Sequence, residues 1–384
     1  MKVLFVCNNA YNPGNGLSAS ALNTIKNLKD HGVDARLMAV RNSDPSGNQP
    51  DFPLEHFIFP IFEPIVRANG FAYAKIDRKM IEKAVSWADV VHFEEALFLE
   101  NAVRKIAVKH GKACTATFHL YPHNILANLE MGKNKLLNKL ILRSWKRNVF
   151  DYCSHIQCPT KSVSEYLSNN GFKAKLHVIS NGMDIPEVPV SVTPVMPEPV
   201  ADILCVGRLA REKAQDTLLD AMRYSRHAGS IRLFFAGKGP KSKLYARKAE
   251  KLLRDGVLKH PVTFGFYKRD ELRQMAAESY LYVHCAWVEV EGLSCLEATR
   301  EGLVPVIGKG ELVGTTDFAL TGESIYPVGD SRELARRIDW WIEHPKERNA
   351  MAQRYADAAR EYDIKKSIDS LIDMFREAVE DARR

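Results

Sequence analysis

Two glutamates flank a glycine in the last third of the chain, where residues 288–298 read VEVEGLSCLEA. The apolar run just before, residues 280–285, predicts a buried strand, and residues 293–301 predict a helix. Glu289 and Gly292 therefore lie in the turn between strand and helix. The backbone N–H groups that open such a helix are unpaired and favour a bound diphosphate.

Glu297 lies about one turn into the predicted helix, roughly 6 to 7 Å along its axis at about 1.5 Å per residue. At that distance its carboxylate can accept hydrogen bonds from a ribose joined to the diphosphate. Glu289, in the turn, points the other way, toward a sugar carried on the phosphate that is farther from the ribose. Two glutamates near a helix start can also simply favour the helix dipole at a solvated surface. The motifs described below favour the interpretation that these glutamates bind a nucleotide-sugar.

Two cations follow an apolar strand near the start of the second half. Residues 203–206 form the predicted strand, Arg208 comes directly after it, and Lys213 lies a few residues on. A leaving diphosphate gains charge as its bond to a sugar breaks, and fixed cations stabilise that charge where water is excluded. A solvated surface position is the alternative, and it applies more to Lys213 than to Arg208.

No D-x-D sequence occurs in the 384 residues. Transferases that hold a diphosphate through a divalent metal usually need such acidic oxygen ligands. We therefore expect a site that uses no metal and no cofactor. In it, Arg208, Lys213 and a helix N-terminus neutralise the diphosphate.

A glycine loop follows the first predicted strand, residues 3–7. Residues 14–19 read GNGLSA, a weak dinucleotide pattern. A nicotinamide site also needs an acidic residue at the end of the second strand, but residues 33–40 are followed by Arg41. We expect the loop to bring its backbone close to a sugar phosphate. A tight turn with no ligand fits these glycines equally well.

Predicted strands alternate with predicted helices in both halves. Further strand candidates lie near residues 33–40, 89–92, 113–118, 154–158 and 176–179, and then near 231–236, 261–264, 280–285 and 304–307. Such alternation predicts an α/β protein of two Rossmann-like domains, each with a parallel sheet, facing a cleft. The length agrees with two domains, because 384 residues are more than a domain with a single core ordinarily contains.

The domain boundaries follow from proline content. Prolines crowd residues 186–199, which predicts the interdomain linker. We expect one domain over residues 1–186 and a second over 187–363. Residues 364–384 predict an amphipathic helix that returns to the first domain.

Composition excludes several classes of protein. With 46% hydrophobic and 26% charged residues, the chain is of ordinary globular type. No apolar run approaches the roughly 18 residues that span a bilayer, and residues 3–7 are too short for a signal-peptide core. Seven scattered cysteines without a C-x-x-C pair predict reduced thiols in the cytoplasm. The net charge of +7 suits an anionic ligand, an acidic membrane surface or nucleic acid.

Residues 133–150 predict a basic amphipathic helix. Its cations recur every four residues and form one stripe of Lys135, Lys139, Arg143 and Arg147. Beside the stripe we expect an apolar band of Leu136, Leu137, Leu140, Ile141 and Trp145. This pattern is typical of a helix that rests among lipid headgroups. A connecting helix that packs its leucines on the first domain would show the same pattern.

The chain resembles retaining glycosyltransferases of the GT-B fold, of the family 4 type, over essentially its whole length. The resemblance lies in NG at residues 15–16, TFH at 117–119, SNGMD at 180–184, VGRL at 206–209 with EK at 212–213, AGKGP at 236–240, GF at 265–266, and the segment from Glu289 to Glu297. Each motif is common alone, but their combination in this order is specific.

The resemblance implies roles for individual residues. The implied donor site consists of Gly16, Gly207, Arg208, Lys213, Gly265, Phe266, Glu289, Gly292, Leu293, Ser294 and Glu297. Arg208 and Lys213 hold the diphosphate, and Gly16 approaches a phosphate from across the cleft. Glu297 binds the ribose and Glu289 the donor sugar, with His119 beside that sugar; the catalytic set is His119, Arg208, Lys213 and Glu289. The family has E-G-F-G where residues 289–292 read EVEG, so Glu291 is a second candidate for the sugar contact.

A narrower resemblance is to bacterial diacylglycerol glucosyl- and galactosyltransferases. It lies in FHLYPHNI at residues 118–125, LSCLEA at 293–298 and TTDFAL at 315–320, although Tyr121 and His123 stand where Gln and Glu are expected. It implies a peripheral enzyme at the inner face of the cell membrane. Such an enzyme moves glucose or galactose from a UDP-sugar to a lipid hydroxyl with retention of configuration, and the departing phosphate takes the acceptor proton. It has no nucleic-acid partner.

Three alternatives stay open at this point. A GT-B transferase with a soluble or polysaccharide acceptor would differ only in the acceptor surface of the first domain. A sugar-nucleotide epimerase of the same fold would turn over donor without acceptor. A donor-binding relative without activity would keep Arg208 and show no turnover.

Overall fold

The computed structural model of the chain describes residues 1–11, 16–58, 63, 72–128, 131–188, 190–197 and 199–384. These residues form two compact units. Unit 1 comprises Met1–Gly182 and Ile364–Arg384, and unit 2 comprises Met183–Asp363.

Unit 1 is built on a parallel sheet. Its strands are β1 (Lys2–Val6), β2 (Asp34–Val40), β3 (Phe52–Leu54), β4 (His56–Phe57), β5 (Tyr73–Ala74), β6 (Val90–Phe93), β7 (Ala113–Thr117), β8 (His155–Cys158) and β9 (Lys175–Val178). Among the described residues, seven of these strands form one sheet in the order β3-β2-β1-β6-β7-β8-β9. Strands β4 and β5 pair separately. The central strands are buried along their length because helices cover both faces.

The helices of unit 1 alternate with these strands. They are α1 (Gly16–Asp30), α2 (Arg78–Trp87), α3 (Phe98–Lys109), α4 (Pro122–Asn128), α5 (Lys135–Asn148) and α6 (Lys161–Asn169). Three of them begin with an N-cap side chain. Asp77, Asn134 and Thr160 each accept a hydrogen bond from a backbone N–H in the first turn of the helix that follows.

Unit 2 repeats this architecture. Its strands are β10 (Ala201–Val206), β11 (Ile231–Ala236), β12 (Thr263–Gly265), β13 (Leu281–His284), β14 (Val304–Lys309) and β15 (Ile325–Pro327). Its helices are α7 (Asp216–Ala221), α8 (Ser242–Arg254), α9 (Arg269–Glu278), α10 (Leu293–Arg300), α11 (Ser331–Glu343) and α12 (Pro345–Ala359). Within the described part of this unit, all strand pairings are parallel, in the order β12-β11-β10-β13-β14-β15.

The last helix, α13 (Ile364–Arg383), belongs to unit 1. Its apolar face joins the core formed by β1 and β2. Phe375 is fully buried, with its ring edge-on to Phe5 at 6.2 Å and to His92 at 5.2 Å between centroids. The chain therefore leaves unit 1 at Gly182 and returns to it at Ile364.

Residues 183–200 lie in unit 2 and contact its helix α12. The side-chain amide of Gln353 donates to the Val190 carbonyl and its oxygen accepts from the Val192 N–H, while Asn349 accepts from the Val195 N–H. Of the prolines in this stretch, Pro189 lies outside the described residues.

The two parallel sheets confirm the predicted α/β class with two Rossmann-like units. Every strand candidate in the sequence overlaps an observed strand. The very short β3, β4, β5 and β15 were not predicted. Among the described residues, no helix has the length and apolar character needed to cross a membrane.

Candidate active site

The first cluster of polar residues lies in unit 2, where the strand order reverses. β10 and β13 are neighbours at the centre of the sheet, and their outer partners continue in opposite directions. In open α/β sheets, ligands bind outside the carboxyl ends of the strands at such a point. Gly207 and Arg208 follow β10 there, and Glu289 follows β13.

Glycines allow the loops after β10 and β11 to touch. The Gly207 N–H donates to the Ala236 carbonyl at 2.9 Å. A Cβ added at Gly237 would lie 2.0 Å from the Gly207 oxygen, and one added at Gly239 would lie 2.3 Å from the Leu209 oxygen. The AGKGP motif is therefore required by this backbone contact, which holds the loop that carries Arg208.

A buried carboxylate orients Arg208. Its Nη2 donates to Glu212 Oε1 at 2.5 Å, and Gln215 Nε2 donates to the Arg208 carbonyl at 2.9 Å. Glu212 is buried, so it needs a cation to offset its desolvation. Ala214 adopts φ +46°, which among the described residues is the sole positive φ outside glycine. The turn after Arg208 is thus fixed by both side-chain and backbone geometry.

Lys213 and Glu289 form an ion pair between the loops after β10 and β13. His284 Nε2 lies 3.5 Å from Glu289 Oε2 and 3.3 Å from Thr315 Oγ1. Burial raises the pKa of Glu289, but the Lys213 ammonium and His284 outweigh burial and lower that pKa to about 2. Glu289 is therefore a charged carboxylate at neutral pH. Glu291, the second candidate for the sugar contact, is buried.

Gly292 caps α10 in the left-handed conformation, with φ +86°. A Cβ there would lie 2.3 Å from Thr315 Oγ1, so a side chain is excluded by both strain and space. Leu293 and Ser294 follow as the first helical residues, whose N–H groups lie at the positive end of the helix dipole. Ser294 Oγ lies 3.0 Å from the Tyr282 hydroxyl, which fixes its rotamer.

Glu297 lies at a recess between β10, α9 and α10. The recess is lined by Leu204, Val206, Arg269, Leu272, Arg273, Ala276, Ser294, Glu297 and Ala298. Arg269 Nη2 is 3.3 Å from Glu297 Oε1, and its Nη1 donates to Asp184 at 3.0 Å. An apolar wall with a few polar groups at its edge is typical of small-molecule sites.

Gly265 ends β12 and Phe266 follows it, at the same carboxyl edge of the sheet and two strands from β10. A Cβ at Gly265 would lie 2.4 Å from the Tyr267 ring. Phe266 is exposed, and Lys238 Nζ lies 5.3 Å from its ring centroid. An exposed aromatic ring beside a cation can stack with a planar ligand.

A second polar cluster lies at the corresponding position in unit 1, where β1 and β6 are neighbours. His119 Nε2 contacts Glu94 Oε2 at 2.6 Å, and Glu94 Oε1 lies 3.6 Å from His92 Nε2. Burial raises the pKa of Glu94, but the attraction of His119 outweighs burial and lowers it. Burial lowers the pKa of His92 to about 4, so His92 is neutral at pH 7.

Two more buried carboxylates adjoin this cluster. Asn8 Nδ2 donates to Glu95 Oε2 at 3.0 Å and to Glu100 Oε1 at 2.9 Å. Burial raises the pKa of both glutamates, and repulsion by Glu95 raises that of Glu100 further. Because both carboxylates contact the same Asn8 amide, ionising both is unfavourable, so Glu95 and Glu100 together can hold a proton.

Gly16 is the first residue of α1 and is exposed. Residues 14 and 15 of the predicted glycine loop lie outside the described residues. The role of Gly16 at a phosphate stays a prediction.

Helix α5 differs from the prediction at one residue. The exposed face carries the basic stripe of Lys135, Lys139, Arg143 and Arg147. Leu136 and Leu140 are 67% and 52% exposed beside it. Trp145 is only 7% exposed and lines a recess with His119 and Phe150, so its assignment to the membrane-facing band was wrong. It lies on the inner face with Leu142, which packs on the unit.

Sequence reasoning gave no role to four residues that contact predicted site residues. They are Glu94, Glu212, Arg269 and His284. A signal exists for Glu94 and His284, since each lies at the carboxyl end of a strand where the strand order reverses. Arg269 has no such signal, because its contact with Glu297 joins two different helices.

Comparison with known proteins defines the class. Residues 194–358 match the model of glycosyl transferases group 1, and residues 14–187 match that of glycosyltransferase family 4. Among curated proteins there is no match. With two Rossmann-like units, these matches make the chain a glycosyltransferase of the GT-B type.

Solved structures share this fold. Anabaena HepE in complex with UDP and glucose is 17% identical, with a TM-score of 0.69, over 98% of this chain and 99% of that chain. Sucrose-phosphate synthase from Thermosynechococcus elongatus is 14% identical, with a TM-score of 0.72, over 98% and 99%. The catalytic domain of cholesterol-alpha-glucosyltransferase from Helicobacter pylori is 38% identical, but over 42% of this chain and 99% of that chain, with a TM-score of 0.38.

The ion pair at the end of β13 predicts a measurable pKa change. Replacing Lys213 with methionine keeps the length of the side chain and removes its charge, so only His284 still offsets the burial of Glu289. We expect the pKa of Glu289 to rise by about 1 to 3, followed by carboxyl-carbon NMR. The same change at exposed Lys309 is the control. An unaltered pKa of Glu289 in the Lys213→Met protein would contradict the pairing.

Proposed function

We propose that the protein transfers glucose or galactose from a UDP-sugar to the hydroxyl of a membrane lipid, such as a diacylglycerol or a glycolipid. The anomeric configuration is retained, and no metal ion or cofactor takes part. The observation that carries the donor half is the pairing of Arg208 and Lys213 with Glu212 and Glu289 where β10 and β13 meet. The part of the proposal that concerns the acceptor is supported by the basic residues on the exposed face of α5.

The donor diphosphate would bind against Arg208, Lys213 and the first N–H groups of α10. These are two cations and a helix N-terminus at one edge of one sheet. HepE, which shares the fold, was solved with UDP and with UDP-glucose, and this guides the choice of a uridine nucleotide. Glu289 is charged and lies beside Lys213, so it can accept hydrogen bonds from the sugar hydroxyls.

The transfer needs one bond to break and one to form. The bond between the anomeric carbon and the diphosphate oxygen breaks, and the acceptor oxygen bonds to that carbon on the same face. The acceptor proton passes to the departing phosphate. Arg208 and Lys213 stabilise the charge that develops there, and Glu212 keeps the guanidinium in place. His119 is proposed to bind the sugar.

Glu297 is proposed to hold the ribose, and UDP binding tests this. Replacing it with glutamine removes charge-assisted hydrogen bonds worth about 1.5 to 3 kcal/mol, so the Kd for UDP should rise about ten-fold or more. Glu297 is partly exposed, so the fold should be unaffected. The matched control is Glu311→Gln, an exposed carboxylate of the same unit. Equal UDP affinity by calorimetry in parent and Glu297→Gln would remove this residue from the site.

Metal independence follows from the two cations at the diphosphate. Activity should persist in EDTA, whereas Arg208→Ala should lower kcat by two or more orders of magnitude, about 3 to 4 kcal/mol. Arg211→Ala is the matched control, since Arg211 is exposed three residues away. Complete loss of activity in EDTA with recovery on adding Mn²⁺ would overturn this account.

The acceptor proposal rests on the two faces of α5. The outer face presents four cations and two exposed leucines, the pattern of a helix among headgroups. The inner face carries Trp145, which lines the recess of His119. The helix proposed to contact the membrane therefore also forms a wall of the proposed acceptor site.

Membrane binding can be tested with a matched pair of helices. Each cation near an anionic surface contributes about 1 kcal/mol, so changing the four basic residues of α5 to glutamine should weaken vesicle binding about a thousand-fold. UDP affinity should stay the same. The control changes four exposed basic residues of α8 in unit 2, which are Lys243, Arg247, Lys251 and Arg254. It removes the same charge from a helix that also has exposed leucines, Leu244 and Leu253.

Sedimentation with phosphatidylglycerol vesicles distinguishes the outcomes. The α5 variant should stay in the supernatant while the α8 variant sediments like the parent. If the α5 variant sediments normally, the helix is only part of the scaffold. If the two variants lose binding equally, net charge and not α5 controls it.

A further inference from the structure

Two histidines and a glutamate meet at the far edge of the unit 1 sheet. His155 opens β8, His177 lies in the neighbouring β9, and Glu377 lies on α13. One ligand atom from each lies within 4.8 Å of the other two. His155 is at the amino end of its strand, whereas His119 follows the carboxyl end of β7. The cluster is therefore separate from the residues proposed for sugar transfer.

His155 directs a buried nitrogen into this cluster. Its side chain is 1% exposed, and within the described parts of the chain its Nε2 has no hydrogen-bond partner. The nearest carboxylate oxygens are Glu377 Oε2 at 3.5 Å and Asp381 Oδ2 at 3.8 Å. Nδ1 lies 2.9 Å from Ser154 Oγ. With the ring proton on Nδ1, donated to Ser154, Nε2 keeps a lone pair for a cation.

His177 has the same character. Its Nε2 is buried and, among the described residues, has no hydrogen-bond partner. The centroids of the two imidazole rings lie 5.1 Å apart, with 32° between the ring planes, and one nitrogen of each ring lies within 4.8 Å of the other. Burial lowers the pKa of both histidines.

The carboxylate of Glu377 already attracts a cation. Lys175 Nζ donates to Glu377 Oε2 at 2.5 Å, and the lysine side chain is mostly exposed. A metal ion can displace it, since the ammonium can move into water. Asp381, one turn further along α13, has its Oδ2 3.8 Å from His155 Nε2.

We propose that His155, His177 and Glu377 bind a divalent transition-metal ion such as Zn²⁺. Two imidazoles and a carboxylate are a donor set that this ion prefers. Tetrahedral Zn²⁺ with bonds of about 2.1 Å places its ligand atoms roughly 3.4 Å apart. The present separations of up to 4.8 Å close by modest side-chain rotation.

The bound ion joins elements that are distant in sequence. Two ligands come from the β8-β9 edge of the sheet and one from the last helix. The ion would fasten α13 to the β8-β9 edge of the sheet and stabilise the folded form of unit 1 by mass action. Its role is structural, so it is compatible with sugar transfer that needs no metal.

Titration of the full-length protein tests the site. Protein freed of metal by EDTA and then desalted is titrated with ZnCl₂ by calorimetry and with CoCl₂ by visible absorption. We expect one ion per chain, tetrahedral Co²⁺ absorption and a rise in Tm with Zn²⁺. Glu377→Gln and His177→Gln should each weaken Zn²⁺ binding at least ten-fold and abolish the rise in Tm.

Glu380→Gln is the matched control, because Glu380 is exposed on the same helix and outside the cluster. It should bind Zn²⁺ and gain Tm like the parent. Neither Glu377 nor His177 is fully buried, so both variants should fold. If parent, Glu377→Gln and His177→Gln bind Zn²⁺ equally, the proposal is wrong. Sugar transfer in EDTA is a separate readout, so failure of this site leaves the proposed function unaffected.

Discussion

The ion pair between Lys213 and Glu289 is the interaction on which the unit 2 site depends. A mostly buried carboxylate in the loop after β13 is costly unless a cation reaches it, and Lys213 comes from the loop after β10. The pair therefore joins the two loops at the point where the strand order reverses. The neighbouring pair of Arg208 and Glu212 repeats this logic within one loop. Under the proposed function, an entering diphosphate would meet cations that carboxylates already hold in position, so little reorganisation would be needed.

Backbone contacts hold these pairs in place. The glycines at 237, 239 and 292 stand where a Cβ would overlap a neighbouring loop. The loop after β11 consequently packs too closely on the loop after β10 for other residues, and the loop after β13 packs too closely on the segment after β14. At Gly292, a motif that predicts ligand binding in the sequence is thus also a requirement of packing.

The two units show one architecture with opposite electrostatics. Each sheet reverses its strand order beside its first strand, and each places polar residues there. In unit 2 these include two cations, each paired with a carboxylate. In unit 1 they are buried glutamates with His119 and His92, a set suited to holding protons and hydroxyl groups. Function thus resides in the residues placed at the strand ends, and the shared fold supplies only their positions.

The sequence predicted what local pattern controls. Apolar runs located the central strands, and the turn containing Glu289 and Gly292 followed from the strand and helix around it. Strands of two or three residues, such as β4, carry too little periodicity to detect. Trp145 follows Leu136 by nine positions, which at about 100° per residue places it on the opposite side of α5. That arithmetic would have separated it from the exposed leucines.

Contacts between distant segments could not be read from spacing. Arg269 meets Glu297 across two helices, and Glu377 meets His155 only because α13 returns to unit 1. Such pairs depend on topology, which single-sequence patterns do not encode. The same limit applies to Glu212, whose burial turns a run of charged residues into a support for Arg208.

The most direct test of the account is UDP release from a panel of UDP-sugars, with vesicles that contain or lack a lipid acceptor, followed by NMR of the product anomer. The account predicts release from UDP-glucose or UDP-galactose only with acceptor-containing vesicles, and an α-linked glycolipid as the product. Donor turnover without any acceptor, transfer only to soluble sugars, or an inverted anomer would contradict it.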